Sequence, residues 1–161
     1  VPEDRRRPGL ITSFSLFMNL VIPILKRLKA VLFLRMRSGR AEAKQYVKRF
    51  NIQAQGLEQP VRLLSGGNQQ KVVVAKSVMT GARILLLDDP TFGIDIKSKL
   101  EVMRIVKDFV SEGNAALFVS SELSEIASFC DRTLIMNRGR IVNTVVNADD
   151  TTEETLLKAV Q

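Results

Sequence analysis

The sequence has no histidine, one cysteine and no tryptophan, and each shortage removes a class of function. Without histidine, Ser–His or Cys–His nucleophile pairs and His-ligated metals are excluded. Cys130 has no partner for an internal disulfide, which favours a reducing, intracellular compartment and a thiol packed in the core. Any chemistry must therefore run on carboxylates, hydroxyls, amides and basic side chains.

Long hydrophobic runs are also absent. The nearest candidate, residues 10–25, is interrupted by four polar residues and Pro23, and it falls short of the roughly 18 apolar residues that a membrane span needs. The acidic and arginine-rich start does not resemble a secretory signal.

Composition and charge favour a folded chain with a basic first third. The 161 residues are 45% hydrophobic and 25% charged, which suits a single domain or part of a larger one. The first 50 residues hold 12 of the 24 basic and 3 of the 17 acidic residues. This basicity suits nucleic acid, anionic lipid or an acidic partner, and it equally suits a solvated helix surface.

The most informative stretch is residues 64–71, LSGGNQQK. Ser65 is placed to cap a helix that opens with Gly66 and Gly67, so several backbone amides there lack an intrahelical acceptor. Such a helix start favours an anion. The plainer alternative is that Ser-Gly-Gly is only a helix cap.

A second motif, ILLLDDPT, occupies residues 84–91. Four apolar residues running into two carboxylates predict a buried parallel strand with an acidic end. Asp88 at that end suits a hydrated Mg²⁺, although an apolar strand ending in Asp is frequent among α/β proteins. Asp95, slightly further on, is at the least a candidate N-cap. A phosphate site and a metal site this close together indicate nucleoside triphosphate chemistry.

The remaining pattern predicts an α/β chain. The first third is mainly helical, with helices from about residue 13 and over 40–51. Further helices are expected over 66–80, 96–112 and 122–129, and after a Thr151 or Thr152 cap. Strands are expected over 84–88, 115–120, 132–136 and 141–146. The last two are joined by a hairpin at residues 137–140, and Ser120 and Ser121 sit at a strand end, as Asp88 and Asp89 do.

These motifs together resemble the ATP-binding cassette ATPases. LSGGNQQK resembles their signature sequence in the form typical of the second cassette of bacterial simple-sugar importers of the ribose and galactose type. Residues 1–5 (VPEDR) resemble that subfamily's Q-loop region, and residues 120–123 and 131–141 match its C-terminal pattern. The resemblance implies a partial P-loop NTPase fold. Residues 1–82 would form the Q-loop region and a mostly helical signature subdomain, and residues 83–161 the C-terminal, parallel-sheet half of a RecA-like core with a hairpin.

The resemblance also implies a role for each matching position. The signature residues would contact the γ-phosphate of ATP held by an opposing cassette. Asp88 would hold Mg²⁺ through water, and Asp89 would stand where the general base orients the attacking water. Asp95 would be the D-loop acid, Glu3 would replace the Gln of the Q-loop, and Ser121 would replace the switch His. The implied nucleotide-binding set is Ser65, Gly66, Gly67, Asn68, Gln69, Asp95 and Glu3, with Asp89 and Ser121 catalytic and ATP and Mg²⁺ as cofactors.

Two departures from the family pattern bear on activity. No Gly-x-x-x-x-Gly-Lys-[Ser/Thr] motif, the phosphate-cradling loop called Walker A, occurs in the sequence. Since that loop lies upstream in the family and the chain starts with Val1, we expect this to be the C-terminal part of a cassette, inactive alone and with an exposed sheet edge. Asp89 in place of the usual Glu withdraws the carboxylate by about 1.5 Å, which predicts weak hydrolysis.

Three functions follow. The first is an ABC-type ATPase segment that energises sugar import. It would sit peripherally at the cytoplasmic face of the bacterial cell membrane, with a second cassette of the same polypeptide or a dimer partner, a permease subunit and, indirectly, a periplasmic sugar-binding protein. The second is a catalytically silent module that only donates its signature helix. The third is a nucleic-acid-associated ABC ATPase, which we rank last because stacking aromatics are scarce, so no nucleic acid partner is expected.

Overall fold

The computed structural model describes residues 1–5, 9–29, 35–147 and 151–160. They form two compact units, Val1–Leu117 and Phe118–Gln161. The predicted boundary between residues 82 and 83 lies within the first unit and stays a prediction. Among the described residues, none of the helices combines the length and the apolar character that crossing a membrane requires.

Helices make up most of what the structure describes of the first unit. Helix α1 (Leu16–Val21) leads through a 3₁₀ turn (Ile22–Ile24) into α2 (Leu25–Leu28), and it is followed by α3 (Met36–Arg49), α4 (Gly66–Met79) and α5 (Ile96–Ser111). The 3₁₀ turn coincides with Pro23, which has no amide hydrogen to continue an α-helix. Residues 30–34 of the expected longer helix lie outside the described residues.

The predicted start of α3 at Arg40 is wrong, because the helix begins at Met36 and runs through Gly39. A Cβ atom at Gly39 would lie 2.7 Å from Leu28 Cδ1. This glycine therefore serves a close approach of α3 to α2 and does not mark a helix boundary.

Helix α4 is the centre of the first unit. It packs against α1, α3 and α5, and it is buried on nearly all sides. Neighbours on several sides cover most of the helix, including polar residues of its first turns. Its buried residues are Gly67, Gln69, Gln70, Lys71, Val72, Val73, Val74, Ala75, Val78 and Met79.

Strand β1 (Ile84–Asp88) lies beside β2 (Ala115–Val119) in a two-stranded sheet. The Ala115 amide donates to the Arg83 carbonyl at 2.9 Å. Elsewhere along β1, the Val1 amine donates to the Leu86 carbonyl at 2.7 Å and the Asp88 amide donates to the Val1 carbonyl at 3.0 Å. The start of the chain therefore runs next to β1.

The prediction that β1 is buried on both faces is wrong. Leu85 and Leu87 are buried, but Ile84 and Leu86 are 63% and 62% exposed. Because side chains alternate along a strand, one face of β1 contributes to the core and the described residues leave the other uncovered.

The second unit begins inside β2 and contains α6 (Leu123–Phe129), β3 (Arg132–Asn137), β4 (Arg140–Val146) and α7 (Glu153–Val160). Strands β3 and β4 are antiparallel, with Asn137 paired to Arg140, so the predicted hairpin is confirmed. Its turn residues Arg138 and Gly139 have φ of 47° and 76°, as a two-residue type I′ turn requires.

Two smaller predictions in this unit are also decided. Thr152 caps α7, since its Oγ1 accepts from the Thr155 amide at 3.3 Å, whereas the sequence left Thr151 and Thr152 open. Cys130 is half-buried, so the expected burial in the core is only partial.

Candidate functional site

The N-terminus of α4 carries the proposed anion site. Ser65 is its N-cap: Ser65 Oγ accepts from the Asn68 amide at 3.4 Å and from Asn68 Nδ2 at 2.9 Å, which confirms the predicted cap. The Gln69 amide donates to the Ser65 carbonyl at 2.9 Å. The amides of Gly66 and Gly67 precede that bond and so have no acceptor within the helix. They lie at the positive end of the helix dipole, where an anion is favoured.

Asn68 and Gln69 tie this helix start to the chain before it. Asn68 Oδ1 accepts from the Gln53 amide at 2.8 Å. Gln69 is buried, and its Nε2 donates to the carbonyls of Val61 and Leu64, both at 3.1 Å. These two side chains therefore support the loop that presents Ser65.

Gly67 packs directly on the first turn of α5. A Cβ atom at Gly67 would lie 2.0 Å from Ser98 Oγ and 2.4 Å from Ser98 Cβ. Asp95 caps α5, accepting the Ser98 amide on Oδ1 at 2.9 Å and the Ser98 hydroxyl on Oδ2 at 2.7 Å. These hydrogen bonds from Ser98 hold the pKa of Asp95 below its ordinary value. Asp95 is thus an N-cap and is joined to Gly67 through Ser98.

Arg5 reaches the same region from the start of the chain. Its Nη1 donates to the Phe92 carbonyl at 3.1 Å and its Nη2 to the Gly93 carbonyl at 3.3 Å. A Cβ atom on Gly66 would lie 3.0 Å from Arg5 Nη2. Arg5 therefore makes its contacts within the chain, with the loop after β1 and beside the start of α4.

Lys71, the last residue of LSGGNQQK, is buried in the first unit. Its side chain is 3% exposed, and Nζ donates to the Asn51 carbonyl at 2.6 Å and to Glu101 Oε2 at 2.8 Å. A buried ammonium needs such partners because leaving water is costly for a charge. Lys71 therefore joins α4 to α5 and to the chain after α3.

The acidic end of β1 is open to solvent at Asp88. The next residue, Asp89, has φ of 41°, in the left-handed region, and its carbonyl accepts from the Phe92 amide at 3.1 Å to close a turn. Within the part of the chain that the structure describes, no three acidic or sulfur- or imidazole-bearing side chains gather around one point. Mg²⁺ keeps several of its waters and binds phosphate oxygens, so a site with one or two carboxylates suits it better than a site built entirely of protein ligands.

Glu3 and Ser121 lie in different units. Glu3 is exposed and lies two residues after Val1, which is hydrogen-bonded to β1. Ser121 is exposed in the second unit, next to Ser120. Ser120 Oγ donates to Glu125 Oε2 at 2.6 Å and accepts from the Glu122 amide at 3.0 Å, which fixes the start of α6.

A comparison with protein families matches residues 5–92 to the model described as ABC transporter. The chain belongs to the ABC transporter family. The matched residues include both the LSGGNQQK helix start and the acidic end of β1.

Relatives of this ABC transporter chain are named as the ATP-binding proteins of sugar importers. It is 41% identical over 158 residues to the ribose import ATP-binding protein of Roseobacter denitrificans, covering 98% of this chain and 31% of that protein. It is 40% identical to the xylose import ATP-binding protein of Moorella thermoacetica, again over 98% of this chain and 31% of the relative. The chain thus spans about a third of the length of these relatives.

Solved structures support the fold. A dimeric ATP-binding cassette in a post-hydrolysis state bound to ADP and Pi matches with a TM-score of 0.72 at 21% identity, covering 86% of this chain and 59% of that one. An ATP-binding cassette of an ABC transporter in its ADP conformation matches with a TM-score of 0.70 at 15% identity, over 93% of this chain and 60% of that one. The predicted fold, a partial P-loop NTPase of the ABC type, is confirmed.

The sequence did not predict three contacts at the site of this ABC transporter chain. They are Ser98 against Gly67, Glu101 with Lys71, and Arg5 with the loop after β1. A usable signal existed only for Lys71, a charge directly before the apolar run of residues 72–75. The other two contacts join segments distant in sequence, and no local pattern marks them.

Proposed function

We propose that this chain supplies the signature helix and the acidic strand end of an ABC-type ATPase that energises sugar import. The observation that carries the proposal is the Ser65-capped start of α4, where the Gly66 and Gly67 amides have no acceptor within the helix. A γ-phosphate is the anion such a site takes when an opposing cassette presents ATP. Asn68 and Gln69 act here by fixing the loop that carries Ser65.

The acidic end of β1 would serve ATP on its own side. Asp88 would hold Mg²⁺ through water, and the ion supplies neutralisation of the charge that develops on the phosphate oxygens. Asp89 would accept the proton of the attacking water, and Asp95, Glu3 and Ser121 would take the D-loop, Q-loop and switch positions. Asp89 lies in a left-handed turn with a side chain one methylene shorter than Glu. A misplacement of about 1 Å costs on the order of 10²-fold in rate.

Sugar import is proposed from the relatives, which are named as ribose and xylose import ATP-binding proteins. The working assembly would contain a second cassette, a membrane permease subunit and a periplasmic sugar-binding protein. It would place this chain at the cytoplasmic face of the cell membrane. The predicted parts, a signature subdomain over residues 1–82 and a half-core over 83–161, belong to this proposal.

A catalytically silent module is the second candidate function. The sequence lacks Gly-x-x-x-x-Gly-Lys, whose backbone amides and lysine hold the phosphates of ATP in P-loop proteins. Donation of the signature helix needs only the start of α4, which is intact within the first unit.

One experiment tests both candidates. The purified chain is incubated with Mg-ATP alone and with an intact ribose-import cassette, and phosphate release is measured. Both candidates expect stimulation of the intact cassette. Measurable turnover by the chain alone contradicts the silent module, whereas absence of stimulation refutes donation of the signature helix.

Variants make this assay specific. Ser65→Ala removes the cap hydroxyl at the start of α4 and should lower the stimulation roughly tenfold or more, since a donor to transition-state charge is worth about 10²–10³ in rate. Ser111→Ala is the matched control, because its exposed hydroxyl donates to the Asp108 carbonyl near the end of α5, away from the start of α4. Circular dichroism checks that both variants keep their helices.

A further inference from the structure

Arg5 contacts two segments that are far from it and from each other in sequence. Its guanidinium donates to the carbonyls of Phe92 and Gly93 in the loop after β1. The same Nη2 atom borders the position that a Cβ atom on Gly66 would occupy, at 3.0 Å. One side chain therefore fills the space between the loop after β1 and the start of α4.

The chemistry of this contact suits a guanidinium better than an ammonium. Its planar fork presents separate N–H groups to two successive carbonyls, whereas an ammonium is a single compact donor centre. Among the described residues, Arg5 Nε is buried without an acceptor. Since a buried donor without an acceptor is unfavourable, the other contacts of the side chain must offset it.

A second contact holds the same helix start from another residue. Gly67 packs against Ser98, which is itself bonded to Asp95. The first two residues of α4 thus pack against Arg5 and Ser98. Both attachments lead to the segment of residues 92–98, the segment that precedes and opens α5.

We propose that Arg5 is a positioning residue that locks the loop after β1 to the N-terminus of α4, so that the two move as one piece. What this lock does for a bound nucleotide rests on the proposed function. It keeps a constant distance between the amides that bind phosphate and the loop that carries Asp95. The contacts themselves need no nucleotide, so the lock is testable separately.

The test is amide hydrogen exchange of the 161-residue chain without nucleotide, read by mass spectrometry in Arg5→Met and Arg5→Lys variants. Arg5→Met keeps an unbranched apolar stem and removes every donor. The bonded amides in both segments should exchange about tenfold faster, as local opening becomes easier. Arg5→Lys should fall between Arg5→Met and the wild type. The reporting amides are those of Asn68 and Gln69 in α4 and of Phe92, Ser98 and Lys99 in the loop and α5.

Arg104→Met is the matched control, because Arg104 is an exposed arginine on α5. It should change exchange in neither segment. The second unit should keep its wild-type exchange in all variants. If Arg5→Met unfolds the whole first unit, the Arg5→Lys variant tests the proposal instead. It keeps the charge, and the proposal still requires faster exchange in both segments.

A double-mutant cycle tests the contact with Gly66. Gly66→Ala introduces the Cβ atom that meets Arg5 Nη2, and it should speed exchange in both segments. In the Arg5→Met background the same change should add little. Gly67→Ala should perturb both backgrounds equally, because its obstacle is Ser98.

Faster exchange in only one segment, unchanged exchange in both, or an equal effect of Arg104→Met would overturn the proposal. In the stimulation assay, Arg5→Met should lower the maximal rate of the intact cassette. If the wild-type chain does not stimulate it at all, the proposed function fails while the exchange result stands on its own.

Discussion

Removing the buried charge of Lys71 should destabilise the first unit more than removing any exposed charge. Lys71→Met keeps most of the side-chain volume and deletes the donor to the Asn51 carbonyl and to Glu101. Breaking a buried ion pair costs about 3–5 kcal/mol because the remaining charge is uncompensated. The Glu101 side chain is 28% exposed, so water can partly solvate it. We therefore expect a loss of about 2–3 kcal/mol.

Urea unfolding followed by tyrosine fluorescence measures this loss. Tyr46 is the only tyrosine of the sequence and lies on α3, with its ring 5.7 Å from that of Phe50, so its signal reports the first unit. With a urea slope of about 1.5–2 kcal/mol per M for a unit of this size, the midpoint should fall by roughly 1–2 M. The control Lys44→Met removes an exposed charge from the same helix as Tyr46 and should shift the free energy of unfolding by less than about 0.5 kcal/mol.

The double variant Lys71→Met/Glu101→Leu identifies the cause. Replacing both partners removes the uncompensated carboxylate, so it should recover much of the lost stability, as apolar replacement of buried pairs often does. If Lys71→Met shifts the midpoint no more than Lys44→Met does, the ion pair contributes nothing and the reasoning is refuted. If the double variant is as unstable as the single one, the loss comes from packing or from the Asn51 bond.

Three further changes test other contacts. Gly67→Ala should cost about 1–3 kcal/mol by overpacking against Ser98, and the double variant with Ser98→Gly should lose less stability than the two single variants together in urea unfolding. Hydrogen bonds from Ser98 lower the pKa of Asp95 in the folded state. The ionised cap therefore stabilises the fold above the unfolded pKa of about 3.9, and this stabilisation is lost as the pH falls through the folded pKa. The urea midpoint should drop between pH 5 and pH 3 by more in the wild type than in Asp95→Asn. Gly139→Ala strains a position with φ of 76° and should cost about 1–2 kcal/mol in thermal unfolding of the second unit, whereas Gly56→Ala, with open space around it and no positive φ, should cost nothing.

Local rules predicted the features that depend on neighbouring residues. The Ser65 cap followed from the spacing of a serine and the helix it opens, and the hairpin at Arg138 and Gly139 from a turn sequence between two strands. The existence of β1 followed from its apolar run. In each case the decisive interaction lies within a few residues, so the sequence contains it directly.

Contacts between distant segments were outside the reach of such rules. Whether Arg5 is solvated depends on where residues 92–93 lie, and the burial of Lys71 depends on α5 and on the end of α3. The exposure of Ile84 and Leu86 follows from what covers the sheet, which the strand's own pattern does not state.

The basic first third shows a similar limit. Among its described residues, three arginines are paired with acidic residues of the chain, and two of these acidic residues lie beyond residue 50. The charge count alone therefore overstated the free positive surface of this region. The pairs are Arg27 with Glu42, Arg40 with Glu58, and Arg49 with Glu112.

The two signature glycines, Gly66 and Gly67, differ in what they indicate about phosphate binding. Gly67 is required by packing alone, because any Cβ atom there would overlap Ser98 whether or not a nucleotide is present. Its presence is therefore no evidence for phosphate binding. A Cβ atom at Gly66 would be crowded by Arg5 Nη2 at 3.0 Å, the end of a flexible side chain that can move by a few tenths of an ångström, and would meet Ile94 Cγ2 at an ordinary 3.7 Å. The case for an anion site thus rests on the unbonded amides and the Ser65 cap. A further loss of stimulation when Gly66→Ala is added to Arg5→Met, with unchanged urea stability, would report on the site itself, whereas a loss in Gly67→Ala would report first on the contact between α4 and α5.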